Sequence, residues 1–164
     1  MDNRFRKTFN TSFKIQGIGL HSGKKVTLTL HPEEPGHGIS FLKSGQEIPV
    51  AVSSVVETAN ATTIGMGTEK IQTIEHLMSS IHTLGITDCT LEIDATEVPI
   101  MDGSAKPFVD AILSHGMKIS DVPNPPLKFE HPLWVVDGDK YLILLPGEGL
   151  KVTYHIDFPH PLLK

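Results

Sequence analysis

Residues 25–30, Lys25-Val26-Thr27-Leu28-Thr29-Leu30, alternate polar and apolar positions without a break. This is the period-two pattern of a strand with one buried face. His31-Pro32 is expected to end it, because proline removes a ladder donor. Upstream, residues 8–20 mix polar and apolar positions and run into the glycine-marked turn Gly17-Ile18-Gly19-Leu20-His21-Ser22-Gly23. After a loop at Pro35-Gly36-His37-Gly38, residues 39–42 and 48–56 read as two strands around a Ser44-Gly45 turn. Residues 61–71 read as a hairpin over Gly65-Met66-Gly67.

The period then changes. Ile74, Leu77, Met78, Ile81 and Leu84 fall on one face at about 100° per residue, which predicts a helix. Thr73 suits its N-cap and Gly85 its C-terminal close. His76 falls opposite the apolar stripe, with Ser79, Ser80 and Thr83. Glu75 is the only Lys- or Glu-type residue of the segment. A small, nearly uncharged outer face predicts a helix covered on both sides, by its own sheet and by a second domain. Residues 89–93 return as a strand. A second helix opens after Asp102-Gly103-Ser104, with Ser104 as cap, Pro107 in the first turn and Gly116 at the end.

These elements predict an α+β fold, with a first domain over residues 1–116. Pro123, Pro125 and Pro126 mark 117–126 as a linker. Residues 127–136, 141–145 and 151–158 then read as strands of a second domain spanning 127–164. No helix follows to cover their apolar side chains, so that sheet is incomplete as read.

Composition narrows the function classes. The 164 residues carry a net charge of −5, unlike a domain that tracks phosphates, so no nucleic-acid partner is expected. No apolar run approaches the ~20 residues of a membrane span, and the charged N-terminus has no apolar stretch behind it to make a signal peptide. The single cysteine, Cys89, forms no internal disulfide and fits a reducing cytoplasm, most simply as a small core residue. Nine histidines are many for this length, yet no pair has a zinc-site spacing such as H-E-x-x-H. Glu75-His76 and Asp102-Gly103-Ser104 each have a sufficient structural reading as a helix first turn and a capped turn.

Together, three segments carry more. Gly17-Ile18-Gly19-Leu20-His21-Ser22-Gly23, Thr73-Ile74-Glu75-His76-Leu77 and Pro99-Ile100-Met101-Asp102-Gly103-Ser104-Ala105 resemble three motifs of the zinc-dependent UDP-3-O-acyl-N-acetylglucosamine deacetylases of lipid A biosynthesis. They occur in the same order and at similar separations. The resemblance implies two similar α+β domains, each a sheet with two helices, whose helix layers face each other across the active site. It implies a cytoplasmic Zn2+ hydrolase acting on an acylated nucleotide sugar. By that resemblance His76 is a zinc ligand, Glu75 the general base and His21 a substrate contact.

The resemblance also implies two further zinc ligands in an H-K-x-x-D motif, and a later catalytic histidine. This chain has no counterpart to any of them. It is therefore read as the N-terminal part of such an enzyme, inactive alone, with the remainder of the second domain expected as its partner. The rival reading is a naturally short, non-catalytic binding or regulatory module of the same fold. Coding sequence downstream of Lys164 separates the two: an H-K-x-x-D motif favours the enzyme, and an immediate stop codon the module.

Overall fold

In the computed structural model, which describes residues 4–157, the chain divides into two units, Met1–Pro125 and Pro126–Lys164. The first unit contains, in order, β1 (Phe5–Phe9), β2 (Phe13–Ile18), β3 (Lys25–Pro32), β4 (Ile39–Lys43), β5 (Gln46–Pro49), β6 (Val55–Glu57), β7 (Thr63–Met66), β8 (Glu69–Gln72), α1 (Glu75–Leu84), β9 (Cys89–Ile93), α2 (Lys106–His115) and β10 (Met117–Pro123). The architecture is mixed α/β, with two helices and several sheets.

The largest sheet has the order β2-β3-β9-β4-β5. Its pairs are antiparallel except β4 with β9, which run parallel. The alternation in β3 works as read. Val26, Leu28 and Leu30 are buried, and Leu28 lies opposite Ile15 on one side and Ile93 on the other. This apolar face shares one core with Leu77, Ile81 and Leu84 of α1 and Phe108 and Ile112 of α2. Each such fully buried side chain contributes roughly 1.5–3 kcal/mol relative to exposure. Ser44 and Gly45 both have positive φ, 52° and 80°, as the two-residue turn between β4 and β5 requires.

Several expectations need correction. Strand β3 continues through His31-Pro32, with Pro32 as its last residue opposite Cys89. Residues 48–56 are not one strand. Pro49 ends β5, a 3₁₀ turn at Val52–Ser54 follows, and Val55 starts β6 in a different, three-stranded sheet with β7 and β8. The β7–β8 turn is centred on Gly67-Thr68, where Gly67 takes φ 59°. Residues 117–126, expected as a linker, contain β10, paired antiparallel with β1. The prolines come only at the end of that ladder, and β10 covers what would otherwise be the open edge of β1. Ser80, expected on the outer face of α1, is fully buried. Its hydroxyl donates to the Leu77 carbonyl at 2.7 Å, which satisfies it within the core.

The second unit holds β11 (Leu133–Asp137) and β12 (Lys140–Leu144), a hairpin closed by Gly138-Asp139. Apolar side chains are exposed on both of its faces: Trp134 is 68% exposed and its neighbour Val135 66%. The third strand expected over 151–158 does not form across the described residues to 157; Phe158 lies outside them.

Candidate active site

Helix α1 begins at Glu75, directly after Ile74 in its N-cap position. Thr73 is therefore not the cap. It takes φ 61°, a left-handed conformation that is costly for a β-branched residue. Its amide donates to the Thr62 carbonyl at 3.1 Å. The Thr62 amide in turn donates to Oε1 of Glu75. One backbone segment thus holds both the residue before the helix and the carboxylate of its first residue. Glu75 is exposed, His76 half-buried and Leu77 buried, so the first turn passes from solvent to core in three residues. Oε2 of Glu75 and the His76 ring make no hydrogen bond among the described residues.

The residue that joins the three motifs is one the sequence reading missed. Glu97 is 1% exposed. Its carboxylate accepts from the amides of His21 at 2.9 Å and Ser22 at 2.8 Å, and from the Thr73 hydroxyl at 3.1 Å. Backbone bonds reinforce the join: Gln72 N donates to Thr96 O and Val98 N to Gln72 O, both at 3.0 Å. Burial alone would raise the Glu97 carboxyl. The His21 amide, the Ser22 hydroxyl and amide, and the Thr73 hydroxyl outweigh burial and hold it below the usual carboxylate range.

The glycines of the first motif are explained by close approach. A Cβ on Gly19 would lie 2.4 Å from Oε2 of Glu97 and 2.3 Å from the Ser22 hydroxyl. A Cβ on Gly17 would lie 2.8 Å from Cβ of Pro99. The third motif therefore packs directly on the first, and Ile100 N donates to Ile18 O at 3.0 Å. Met101 sits at φ 56°, a second non-glycine residue in the left-handed region within these motifs. The N-cap position of α2 is Ala105, without a side-chain cap bond, and not the expected Ser104. The Ser104 hydroxyl accepts from Lys106 N at 3.1 Å and donates to Asp102 at 2.8 Å. That bond is the main reason Asp102 lies below its ordinary pKa.

His21 is exposed on the turn that Glu97 ties down. Among the described residues no hydrogen bond or ion pair joins the side chains of His21, Glu75 and His76. The shared Glu97 carboxylate relates their segments. Other histidines are engaged elsewhere: His31 Nε2 lies 2.9 Å from Glu92, His37 contacts Ser40, Thr90 and Glu47, and His115 stacks on Phe13 at 4.2 Å. Cys89 is a core residue, its thiol pushed up to about 12 chiefly by burial.

A catalytic zinc site takes three protein ligands and one open position. Among the described residues no group of three His, Cys, Asp or Glu side chains could hold a metal. The donor set here fits a share of such a site, the unengaged imidazole of His76, and not the whole. No described helix is long and apolar enough to cross a membrane.

Comparison with known proteins decides the family. Residues 6–164 match the family model for LpxC, UDP-3-O-acyl N-acetylglycosamine deacetylase. The chain belongs to the LpxC family. It is 55% identical over 164 residues to a UDP-3-O-acyl-N-acetylglucosamine deacetylase of Leptospira biflexa serovar Patoc, covering 97% of this chain and 54% of that protein. The similarly named protein of Citrifermentans bemidjiense is 43% identical, with 98% and 54% covered, and that of Myxococcus xanthus 41%, with 97% and 52% covered. The chain thus spans about half the length of these LpxC relatives. The segments that converge on Glu97 and Pro99 all lie within the matched region.

Proposed function

We propose that this chain forms the N-terminal part of a zinc-dependent deacetylase that acts in the cytoplasm in lipid A biosynthesis. The reaction is hydrolysis of the N-acetyl amide of UDP-3-O-acyl-N-acetylglucosamine, giving acetate and the free amine. The observation that supports this reading is the convergence of the three LpxC-like segments around one buried carboxylate. The first unit is then the first of two similar α+β domains that face each other, and the hairpin belongs to the second. His76 supplies one zinc ligand, and residues outside this chain supply the others. When bound, the zinc would polarise the amide carbonyl and acidify a water.

Glu75 is suited to act as general base. The Thr62 amide fixes Oε1 and leaves Oε2 to take the proton of the attacking water. His21, exposed on a turn held from beneath, contacts the substrate.

The test is made in the full-length enzyme. Glu75→Gln keeps the shape and removes the base. It should retain zinc and melting temperature and lose kcat by about 10²–10⁴-fold. His76→Ala should lose zinc and rate together. If Glu75→Gln turns over normally or loses its zinc, the role given to Glu75 is wrong.

A further inference from the structure

We infer that Glu97 is a positioning residue for the proposed reaction, coupling the turn that carries His21 to the residue from which α1 projects Glu75 and His76. The inference rests on the deacetylase reading for its chemistry, and on the geometry around Glu97 for its substance.

A buried carboxylate is expensive to maintain, and a fold that needs only hydrogen bonds can use a neutral side chain. Glu97 forms no ion pair among the described residues. Its compensation comes from donors on two segments far from it in sequence: the His21 amide, the Ser22 amide and hydroxyl, and the Thr73 hydroxyl. Both oxygens are used, Oε1 by His21 and Thr73 and Oε2 by Ser22. A glutamine would present an NH2 group to one of these donors, so the arrangement selects an ionised acid.

Thr73 supplies a second, independent reason. A β-branched residue at φ 61° persists only where its surroundings hold it, and such strain gathers at sites where geometry matters more than stability. Two bonds hold it here, Thr73 N to Thr62 O and Thr73 Oγ1 to Glu97. Thr62 also orients Glu75. Loss of the Glu97 contact would free Thr73 to relax toward an ordinary conformation. The start of α1, and with it the Glu75 carboxylate and the His76 ring, would shift relative to the His21 turn.

The experiment uses the full-length enzyme and UDP-3-O-acyl-N-acetylglucosamine, with kcat, KM and melting temperature measured for Glu97→Gln, Thr73→Val and Thr73→Ser well below every melting transition. Glu97→Gln and Thr73→Val should lower kcat/KM on the order of 10- to 100-fold, the scale of a small misplacement of reacting groups. Thr73→Ser keeps the hydroxyl and should stay within a few fold of wild type. Wild-type kcat/KM in Glu97→Gln overturns the inference, as does Thr73→Ser falling as far as Thr73→Val. Should Glu97→Gln fail to fold, the Val and Ser pair decides.

If the wild-type enzyme does not deacetylate the substrate, the functional reading fails separately. The coupling is then read by NMR. In Thr73→Val the amides of His21 and Ser22 and the resonances of Glu75 and His76 should shift together. Resonances of Glu75 and His76 that stay in place while the turn moves overturn it.

Discussion

Asp88 and Glu97 are two buried acids of the first unit, each 1% exposed and each gathering two backbone amides from a glycine-containing loop. They differ in counter-charge. Arg6 grips Asp88 through two parallel bonds, Nε at 2.8 Å and Nη2 at 2.7 Å, while Gly36, Gly38 and Thr87 complete its shell. Burial would raise the Asp88 carboxyl, but Arg6 and those donors hold it at about 2. Glu97 has donors and, among the described residues, no cation. The first arrangement is a staple between β1, the loop before β4 and the start of β9. The second spans the three motif segments, where the strained residues Thr73 and Met101 also lie. A buried acid that is fully paired reads as structure; one held by dipoles alone beside strained residues reads as a site.

The sharpest way to break this distinction is to remove each acid. Asp88→Ala leaves Arg6 and two loop amides without their partner, and should cost about 3–5 kcal/mol of stability by denaturant unfolding. Glu97→Gln leaves one donor facing an NH2 group and should cost less, about 1–3 kcal/mol. Activity per folded molecule should rank them in the opposite order, with Asp88→Ala close to wild type. Equal ranking in both measurements would erase the difference.

A smaller effect sharpens the same comparison through pH. Both carboxyls are lowered in the folded state, so each contributes stability that is present above its unfolded pKa and lost as pH falls through its folded value. For Asp88 the window runs from roughly pH 5 down to about pH 2, with on the order of 2 kcal/mol lost across it. Unfolding free energy measured against pH should therefore fall through this range in the wild type. It should fall less steeply in Asp88→Asn, which has no proton to gain there. An unchanged slope would remove Asp88 from the acid response.

Much of the scaffold was legible in the chain. The alternation of 25–30, the stripe of α1 and the glycine that closes it are local signals, and their buried faces lie where the periods put them, apart from Ser80, which joins the buried side of α1. The candidate residues His21, Glu75 and His76 came from motifs, which carry identity and no geometry. What joins them was not legible. Glu97 lies 76 positions from His21 and 24 from Thr73. In sequence it is one acid in an ordinary Ala-Thr-Glu-Val-Pro stretch. The available hint was its place two residues before the Pro99 motif, together with two closely spaced glycines that needed something to press against. The left-handed Thr73 was hidden for a related reason, since Thr before a helix normally signals a cap and tertiary contacts override that preference here. β10 was missed because its prolines outweighed a weak apolar pattern that gains meaning only once β1 is beside it.

The central claim is that the start of α1 forms part of a zinc hydrolase active site. Anomalous diffraction at the zinc edge, on crystals of the full-length protein, tests it most directly. The account predicts a single strong peak about 2.0–2.1 Å from a ring nitrogen of His76, on the side of α1 where Glu75 is exposed. A zinc bound tightly elsewhere, with His76 free of metal, would contradict it.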